Sequence, residues 1–387
     1  NTEMLGEVSV VAKKPLFEQR IDRMVINVAN SATNAGGTAL EVLQRSPGVM
    51  VNRQSNALSM AGKSGIVIMI NGKINRMPSD ALIQMLGGMN ADNIERIELI
   101  HTPPANFDAE GNAGIINIIL KKTADAGLNG GYSLNAGYGK REKYGAGLNF
   151  NYRKKKVNLF GNYDYRYNKN PQVFTNYRGI QEGDNFLETE SYSDRNPNLH
   201  IQNAQLGADF QVSPKTVVGV LGTFFDRYWD MYAVNDVKYS TNGAENSSLK
   251  MITTEVNHWN SWTGNVNLSH QFTKDKTLYV DADYVYYHID NPSTYDVQYT
   301  GPEQDRKLWL FKDNPIKIGV VKADYNQNIG TKVQFEAGVK GASSNFDNDV
   351  RVEELDLENW IADPDLTSRF KLTEDIAAAY SSFSLKV

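Results

Sequence analysis

The sequence contains no cysteine, which excludes a disulfide framework, a thiolate metal site and a cysteine nucleophile. It also has no apolar run approaching the roughly 18 residues that a membrane-spanning helix needs, and its mean hydropathy is −0.47. A transmembrane β-barrel is not excluded, because barrel strands alternate apolar with polar residues and their hydropathy averages out. The polar start lacks a signal peptide, so we expect the chain to begin after processing or after an upstream segment.

Basic residues are not in excess: 40 lysines and arginines against 45 aspartates and glutamates give a net charge of −5. This balance argues against a nucleic-acid partner, which usually requires a basic face. The five histidines lack metal-ligand spacing, and we interpret them as surface or rim residues: His101, His200, His258, His270 and His288. Nucleophile-elbow, P-loop and dinucleotide-binding motifs are missing as well. We therefore predict no enzyme, no cofactor and no metal site.

Before about residue 125, helix signals alternate with short apolar runs. Thr38–Glu41 has the capping-box pattern that begins a helix, and Pro47-Gly48 follows where that helix should end. A second helix is predicted from Ser79 or Asp80 to Leu86, because Gly87-Gly88 would stop it. The helix signals, together with the strands below, predict a small α+β domain.

The same region contains three apolar runs of strand length, Ile66–Ile70, Ile94–Ile100 and Ile115–Leu120. The last run is apolar on both faces, which predicts a strand buried at the centre of a sheet. Asn71-Gly72 follows the first run and predicts a tight turn, because both residue types tolerate positive φ.

After about residue 125 the pattern has a period of two, which is typical of half-buried strands. Leu206, Phe210 and Val212 share one strand face, while Asn203 and Gln205 share the other. Further along, Asp281 and Asp283 share a face, and we interpret them as lining a wet lumen in preference to a paired-carboxylate site.

Short turns alternate with long polar stretches along this second part. The short turns are 153–156, 213–216, 273–277 and 328–331, and the long stretches, predicted to be loops, are 168–199, 230–257, 290–312 and 345–368. Short turns at one rim and long loops at the other are typical of an outer-membrane barrel. We count about ten strands, and a plugged barrel has about 22. We therefore expect about ten strands of a 22-stranded barrel, with about 300 residues beyond this sequence.

Two local patterns have alternative interpretations. Arg153–Lys156 is read as a solvated charge run in a turn, although such a run can also bind anionic lipid. Aromatic residues near strand ends or in the long stretches fit either an interfacial girdle or a ligand platform: they are Tyr228, Trp229, Trp259, Trp262, Trp309 and Trp360.

Several motifs of the first part, taken in their order along the sequence, resemble the plug domain of TonB-dependent outer-membrane receptors. They are LQRSPGV at 43–49, IMINGK at 68–73, NIERIELI at 93–100, PPA at 103–105 and EGNAGIINI at 110–118. Departures such as His101-Thr102 in place of Arg-Gly resemble the outer-membrane β-barrel subfamily common in Bacteroidota. They cast doubt on a plug–barrel ion pair that would use an arginine at position 101, although Arg96 could still form such a pair. The candidate plug-motif residues are Pro47, Gly48, Asn71, Gly72, Glu95, Arg96, Glu98, Gly111, Gly114 and Asn117.

Near the start, Glu7-Val8-Ser9-Val10-Val11 resembles the TonB box. Such an extended segment can add as a strand to a partner's sheet. The alternative is a first plug strand or a frayed terminus. The resemblance divides the chain into a TonB-box-like segment (1–12), a plug domain (13–124) and the N-terminal part of a transmembrane β-barrel (125–387).

The resemblance implies a receptor of the bacterial outer membrane that imports a ligand with energy from the inner membrane. The expected partners are TonB with its inner-membrane motor, outer-membrane lipid, and a small ligand, glycan or peptide, with a surface lipoprotein as a further candidate. The alternatives are a non-transporting outer-membrane scaffold or assembly-complex subunit, a passive porin and a soluble all-β binding protein. The motifs do not identify the ligand, because function does not follow from fold alone.

Overall fold

A computed structural model describes residues 15–20, 23–30, 37–52, 57–75, 79–101, 114–121, 127–301, 303–330 and 332–385. The chain divides into two compact units. We call residues 1–75 and 90–122 the N-terminal unit, and residues 76–89 and 123–387 the sheet unit. Within the described ranges, no helix is both long and apolar enough to cross a membrane.

Within the described residues, the N-terminal unit contains a six-stranded sheet and a separate three-stranded sheet. The strands are β1 (Phe17–Gln19), β2 (Arg23–Ile26), β3 (Val49–Asn52), β4 (Ala57–Met60), β5 (Lys63–Ser64), β6 (Val67–Ile70), β7 (Lys73–Ile74), β8 (Ile94–Ile100) and β9 (Ile115–Leu120). The larger sheet has the order β1-β2-β8-β9-β6-β7, and the smaller has the order β3-β4-β5. Strand β9 lies between β8 and β6, and Ile115, Ile116 and Ile118 are fully buried, which confirms the predicted central strand.

The first helix of the N-terminal unit is α1 (Ala39–Gln44). Its capping box is complete: the Thr38 side chain accepts a hydrogen bond from the Glu41 N–H, and the Glu41 carboxylate accepts one from the Thr38 N–H, both at 3.2 Å. This confirms the predicted start of the helix. Gly48, just after it, has a φ of +76°, a backbone conformation that glycine adopts without strain.

The sheet unit contains one antiparallel sheet of 13 strands. They are β10 (Gly127–Tyr138), β11 (Glu142–Lys154), β12 (Val157–Lys169), β13 (Gln172–Glu182), β14 (Asn185–Ser213), β15 (Thr216–Thr241), β16 (Ala244–Thr273), β17 (Lys276–Asp290), β18 (Ser293–Thr300), β19 (Arg306–Ile329), β20 (Val333–Asp356), β21 (Asn359–Ala362) and β22 (Ser368–Leu385). Ten of them follow one another as neighbours. The other three are shorter: β13 pairs with β14, β21 pairs with β20, and β18 pairs with both β16 and β19. The prediction of about ten main strands is confirmed.

The two faces of this sheet differ in the way the alternation predicts. On β14, Leu206, Phe210 and Val212 are 57%, 42% and 62% exposed, whereas Asn203 and Gln205 are 5% and 8% exposed. We call these the apolar face and the polar face. An exposed apolar face with a buried polar face is the inverse of a water-soluble sheet and is the arrangement of a barrel wall in lipid.

The short turns lie where they were predicted, but the long stretches are not loops. Strands β14 and β16 have 29 and 30 residues, and most of the predicted loop residues form ladders of hydrogen-bonded pairs within these hairpins. The loop prediction was therefore wrong for most of their length. We call these extended hairpins ribbons. Polar residues on both faces of a strand resemble a loop in sequence, because the alternation that marks a half-buried strand is missing.

Candidate functional site

Two of the candidate plug-motif residues, Arg96 and Asn117, bind the carboxylate of a third, Glu98, which is almost fully buried on β8. Arg96 donates to Glu98 Oε1 from Nε at 2.9 Å, and Arg23 donates to Glu98 Oε2 from Nη1 at 2.9 Å. The side-chain amide of Asn117 donates to the same Oε2 at 3.2 Å. Since these residues belong to β2, β8 and β9, one carboxylate joins three adjacent strands of the sheet.

The Asn71-Gly72 turn connects to the same network. Asn71 and Gly72 both have positive φ, of 52° and 79°, which confirms the predicted turn chemistry. The Gly72 N–H donates to Asn117 Oδ1 at 2.9 Å, and the Leu120 N–H donates to Asn71 Oδ1 at 3.0 Å. Asn117 therefore bridges the turn and the Glu98 carboxylate through the two ends of its amide.

Charge and burial act in opposite directions on Glu98. Burial alone would raise the pKa of this carboxyl, because it disfavours the ionised form. The hydrogen bonds and charge of Arg96, with further hydrogen bonds from Asn117 and Arg23, outweigh that effect and hold the pKa of Glu98 below its ordinary value. The network therefore stabilises the ionised carboxylate. Glu95 lies outside this buried centre and pairs with Arg96 at 2.7 Å at the surface.

Two motif glycines flank the β4–β5 hairpin. The Gly48 carbonyl accepts a hydrogen bond from the Ala61 N–H at 2.8 Å. Gly114 has a φ of +116°, and a Cβ at this position would lie 2.1 Å from Met60 Cε and 2.6 Å from the Ile100 carbonyl oxygen. Close approach and positive φ both require glycine here.

Other predicted site residues lie apart from the network or outside the described residues. Pro47 precedes Gly48 in the turn after α1 and has no place in the Glu98 network. Gly111 and the TonB-box-like segment Glu7–Val11 lie outside the described residues. Their assigned roles stay predictions.

A helix from the N-terminal part of the sequence packs on the polar face of the large sheet. This helix, α2 (Ser79–Gly88), belongs to the sheet unit. Asn203 on β14 donates to the Met85 carbonyl at 3.4 Å, and Arg166 on β12 donates to the Gly87 carbonyl at 3.3 Å. The polar side chains of the wall thus bind carbonyls in the last turn of the helix, and the Met85 carbonyl also accepts from the Met89 N–H at 2.9 Å.

The end of α2 differs from the prediction. The helix continues through Gly87 and Gly88 instead of stopping at Leu86. A Cβ on Gly88 would lie 2.3 Å from Ile201 Cγ2 and 2.8 Å from Asn203 Nδ2. Glycine at this position therefore allows the close approach of helix and sheet, and it does not serve as a stop signal.

The remaining candidates have ordinary surroundings. Asp283 accepts a hydrogen bond from Asn265 at 2.6 Å on the polar face. On the apolar face, His258 Nε2 lies 2.7 Å from Asp226 Oδ2, and His288 Nε2 lies 2.5 Å from Asp313 Oδ1. Among the described residues, no group of three metal-ligating side chains is close enough to hold a metal ion.

The plug motifs did not include Arg23, Arg166 or Asn203, and Gly88 was predicted only as a helix stop. A single arginine before a short strand carries no local signal for a partner 75 positions away. The polar residues of β12 and β14 were recognised as one face by their alternation, but nothing in that pattern identifies the helix that covers it.

The comparison with known proteins supports the fold class and the location. Residues 270–387 match the outer membrane protein beta-barrel family. The protein is located in the bacterial outer membrane, as the sequence predicted, and consists of an N-terminal α+β region followed by an antiparallel β-barrel sheet. The sequence matches none of the curated proteins.

Solved structures of uptake receptors align with most of this chain. The ferric yersiniabactin uptake receptor FyuA from Yersinia pestis is 14% identical, with a TM-score of 0.49, and the alignment covers 93% of this chain and 61% of that one. The siderophore receptor PiuA from Acinetobacter baumannii is 13% identical, with a TM-score of 0.49 and coverage of 94% and 62%. A mutant of the ferric enterobactin receptor PfeA from Pseudomonas aeruginosa is 10% identical, with a TM-score of 0.43 and coverage of 88% and 69%. This chain thus spans about three fifths of the length of the first two receptors, and these alignments assign it no ligand.

Proposed function

We propose that the protein is a TonB-dependent receptor that imports a ligand across the outer membrane. The observation that supports this most is the packing of α2 on the polar face of the large sheet through Asn203 and Arg166. In a closed barrel that face lines the lumen. A helix held there obstructs free diffusion, so transport needs energy, which the inner membrane can supply.

The finer assignments belong to the same proposal. Residues 1–12 are the TonB-binding segment, 13–124 the plug, and 125–387 the first part of a barrel of about 22 strands. The departures at positions 71–73 and 101–102 support a place in the Bacteroidota-type subfamily. The proposed partners are TonB with its motor, outer-membrane lipid and a surface lipoprotein, and the ligand is a small molecule, glycan or peptide.

The buried network suggests how force enters the plug. Glu7–Val11 would add as a strand to a sheet of TonB, main chain to main chain. Tension would then reach β1 and β2, the first strands after that segment. The Arg23–Glu98 pair, 2.9 Å long, ties β2 to β8. Separating β2 from the sheet therefore requires the loss of a partly buried, charge-assisted hydrogen bond, and Arg96 and Asn117 hold the rest of the network in place.

The test begins with growth of a deletion strain across iron sources and carbon sources, which identifies a nutrient whose uptake requires this protein. Deleting Glu7–Val11 should then abolish uptake of that nutrient while surface binding is unchanged. Val8→Pro with Val10→Pro is a sharper variant, because proline cannot donate the main-chain hydrogen bonds of strand addition. Val8→Thr with Val10→Thr keeps β propensity and is the matched control.

Unchanged uptake in the proline variant would overturn energised import through this segment. Normal growth of the deletion strain on every source, together with co-purification of other envelope proteins, would favour the non-transporting scaffold. A steady conductance of the purified protein in a planar bilayer would favour a passive porin, because a lumen blocked by the plug conducts no steady current.

A further inference from the structure

The ribbon formed by β13, β14 and β15 extends far beyond the lipid. A tilted barrel strand crosses the membrane with about 9–11 residues, whereas β14 has 29. Its membrane-crossing part begins at the short turn after Ser213, so the half that pairs with β13 lies outside. Long hairpins of outer-membrane barrels face the cell exterior. This ribbon is therefore exposed to the medium around the cell.

Six side chains form a grid on one face of this ribbon. Thr175, Tyr192 and Asp236 make one cross-strand row, and Tyr177, Glu190 and Lys238 make the next. They line a cleft of ≈ 350 Å³. Strand alternation places them on the continuation of the apolar face, on the opposite side from Asn203 and Gln205. We call this cleft the outer cleft.

The two aromatic residues of the outer cleft are exposed, and one of them, Tyr177, is held in position by a hydrogen bond. Tyr177 and Tyr192 are 56% and 45% exposed. The Tyr177 hydroxyl donates to one oxygen of Glu188 at 2.9 Å, and the other oxygen accepts from the Gly243 N–H at 3.1 Å. A ring fixed before binding loses little conformational freedom on contact with a ligand. The lipid interface does not account for these rings, since they lie beyond it.

The polar groups of the outer cleft indicate the ligand. Glu190 and Asp236 supply acceptors, Lys238 and the tyrosine hydroxyl of Tyr192 supply donors, and the rings supply flat apolar surfaces. A sugar presents hydroxyl groups that both donate and accept, next to patches of C–H bonds. An anionic ligand would be repelled by Glu190 and Asp236. The ammonium group of Lys238, which also pairs with Glu245 at 3.7 Å, weakens the attraction of a cationic ligand and leaves a neutral one the best match.

We propose that the outer cleft binds a neutral saccharide, on the side of the wall that faces away from the lumen. The ligand is either a free oligosaccharide or the polysaccharide chain of a neighbouring glycolipid on the same cell surface. Because the site is on the outer side, the bound sugar is not the transported cargo. The site would attach the receptor to surface glycan, independently of whether the protein transports anything.

The test uses the full chain in detergent and two probes. One is a panel of immobilised neutral oligosaccharides, and the other is purified lipopolysaccharide with and without its polysaccharide chain. We expect saturable binding that falls about tenfold in Tyr192→Ala, the effect of losing one stacked ring. Tyr192→Phe should bind more tightly than Tyr192→Ala, because it keeps the ring and loses only the hydroxyl donor. Tyr239→Ala, an exposed tyrosine on the opposite face of β15, should bind like the unchanged protein.

Binding to free oligosaccharide identifies a soluble ligand, and binding only to lipopolysaccharide that carries its polysaccharide identifies a surface glycan; either result supports the proposal. No saturable binding to any probe, or a loss in Tyr239→Ala with none in Tyr192→Ala, would overturn it. Nutrient uptake should be unchanged in Tyr192→Ala. Failure of this site is thus distinguishable from failure of the import proposal.

Discussion

Replacing Glu98 by alanine should loosen the sheet of the N-terminal unit. The substitution removes the acceptor for Arg23, Arg96 and Asn117 and so disconnects β2 and β9 from β8. It also leaves a space where the buried side chain was. We expect β2 and β8 to open most, because the Arg23–Glu98 pair joins these two strands.

The magnitude follows from the three lost hydrogen bonds. A hydrogen bond to a charged group contributes about 1.5–3 kcal/mol. The two arginine side chains are 32% and 31% exposed, so water can replace part of what they lose and the lower end of that range applies. Of the three, only the bonds from Arg23 and Asn117 cross between strands, and at about 1.5 kcal/mol each they give a loss of about 3 kcal/mol for the local opening of the sheet. That corresponds to roughly a 100-fold rise in the opening equilibrium.

Hydrogen–deuterium exchange of the full chain in detergent measures this directly, because amide protection follows the local opening free energy. Protection of the β2 and β8 amides should fall roughly 100-fold in Glu98→Ala, with the amides of β15 and β16 unchanged. Glu95→Ala is the matched control, since it removes one surface ion pair from the same Arg96 and should change protection by less than about fivefold. Equal protection in the Glu98 and Glu95 variants would refute the reasoning.

Three other outcomes are expected. The pKa of Glu98 is lower in the folded state than its ordinary value of 4.5, so its stabilising contribution is complete above about pH 4.5 and is lost as the pH falls through the folded pKa. Protection of the β8 amides, corrected for intrinsic exchange, should therefore decline with acid in the unchanged protein. The decline should be smaller in Glu98→Gln. Gly88→Val should release α2 from the sheet, because its Cβ would lie 2.3 Å from Ile201. Faster amide exchange in residues 79–89 would show this release. Gly137→Ala is the control, since no atom lies near its Cβ. Thr38→Ala should destabilise α1 by about 1 kcal/mol through loss of its cap, while Thr38→Ser keeps protection of the helix amides; equal protection in both variants would contradict the capping argument.

Features encoded by neighbouring residues could be predicted from the sequence. The capping box at Thr38, the turn at Asn71-Gly72 and the doubly buried strand at Ile115 each depend on a few adjacent residues, and each is present. The two faces of the barrel strands follow from a period of two, which the wall imposes along its whole length.

Features that depend on distant partners could not be predicted. Arg23 pairs with a carboxylate that only the folded sheet brings near, and Gly88 meets β14 more than 100 residues later in the chain. Two glycines near a helix end favour a stop in the absence of other information. Here close packing overrides that preference, because the missing side chain is needed for contact with Ile201.

The ribbons also restrict how the extracellular hairpins of this protein can change in length. Side chains alternate between the two faces along an unbroken ladder, so inserting one residue within β14 would exchange inside and outside for every residue beyond it. Tyr192 would then point to the side of the lumen. Length changes within a ribbon are therefore tolerated in pairs of residues, and single insertions only at the tips, where Gly183 and Asn242-Gly243 turn with positive φ. A family of such receptors would diversify its outer surface in steps of two residues.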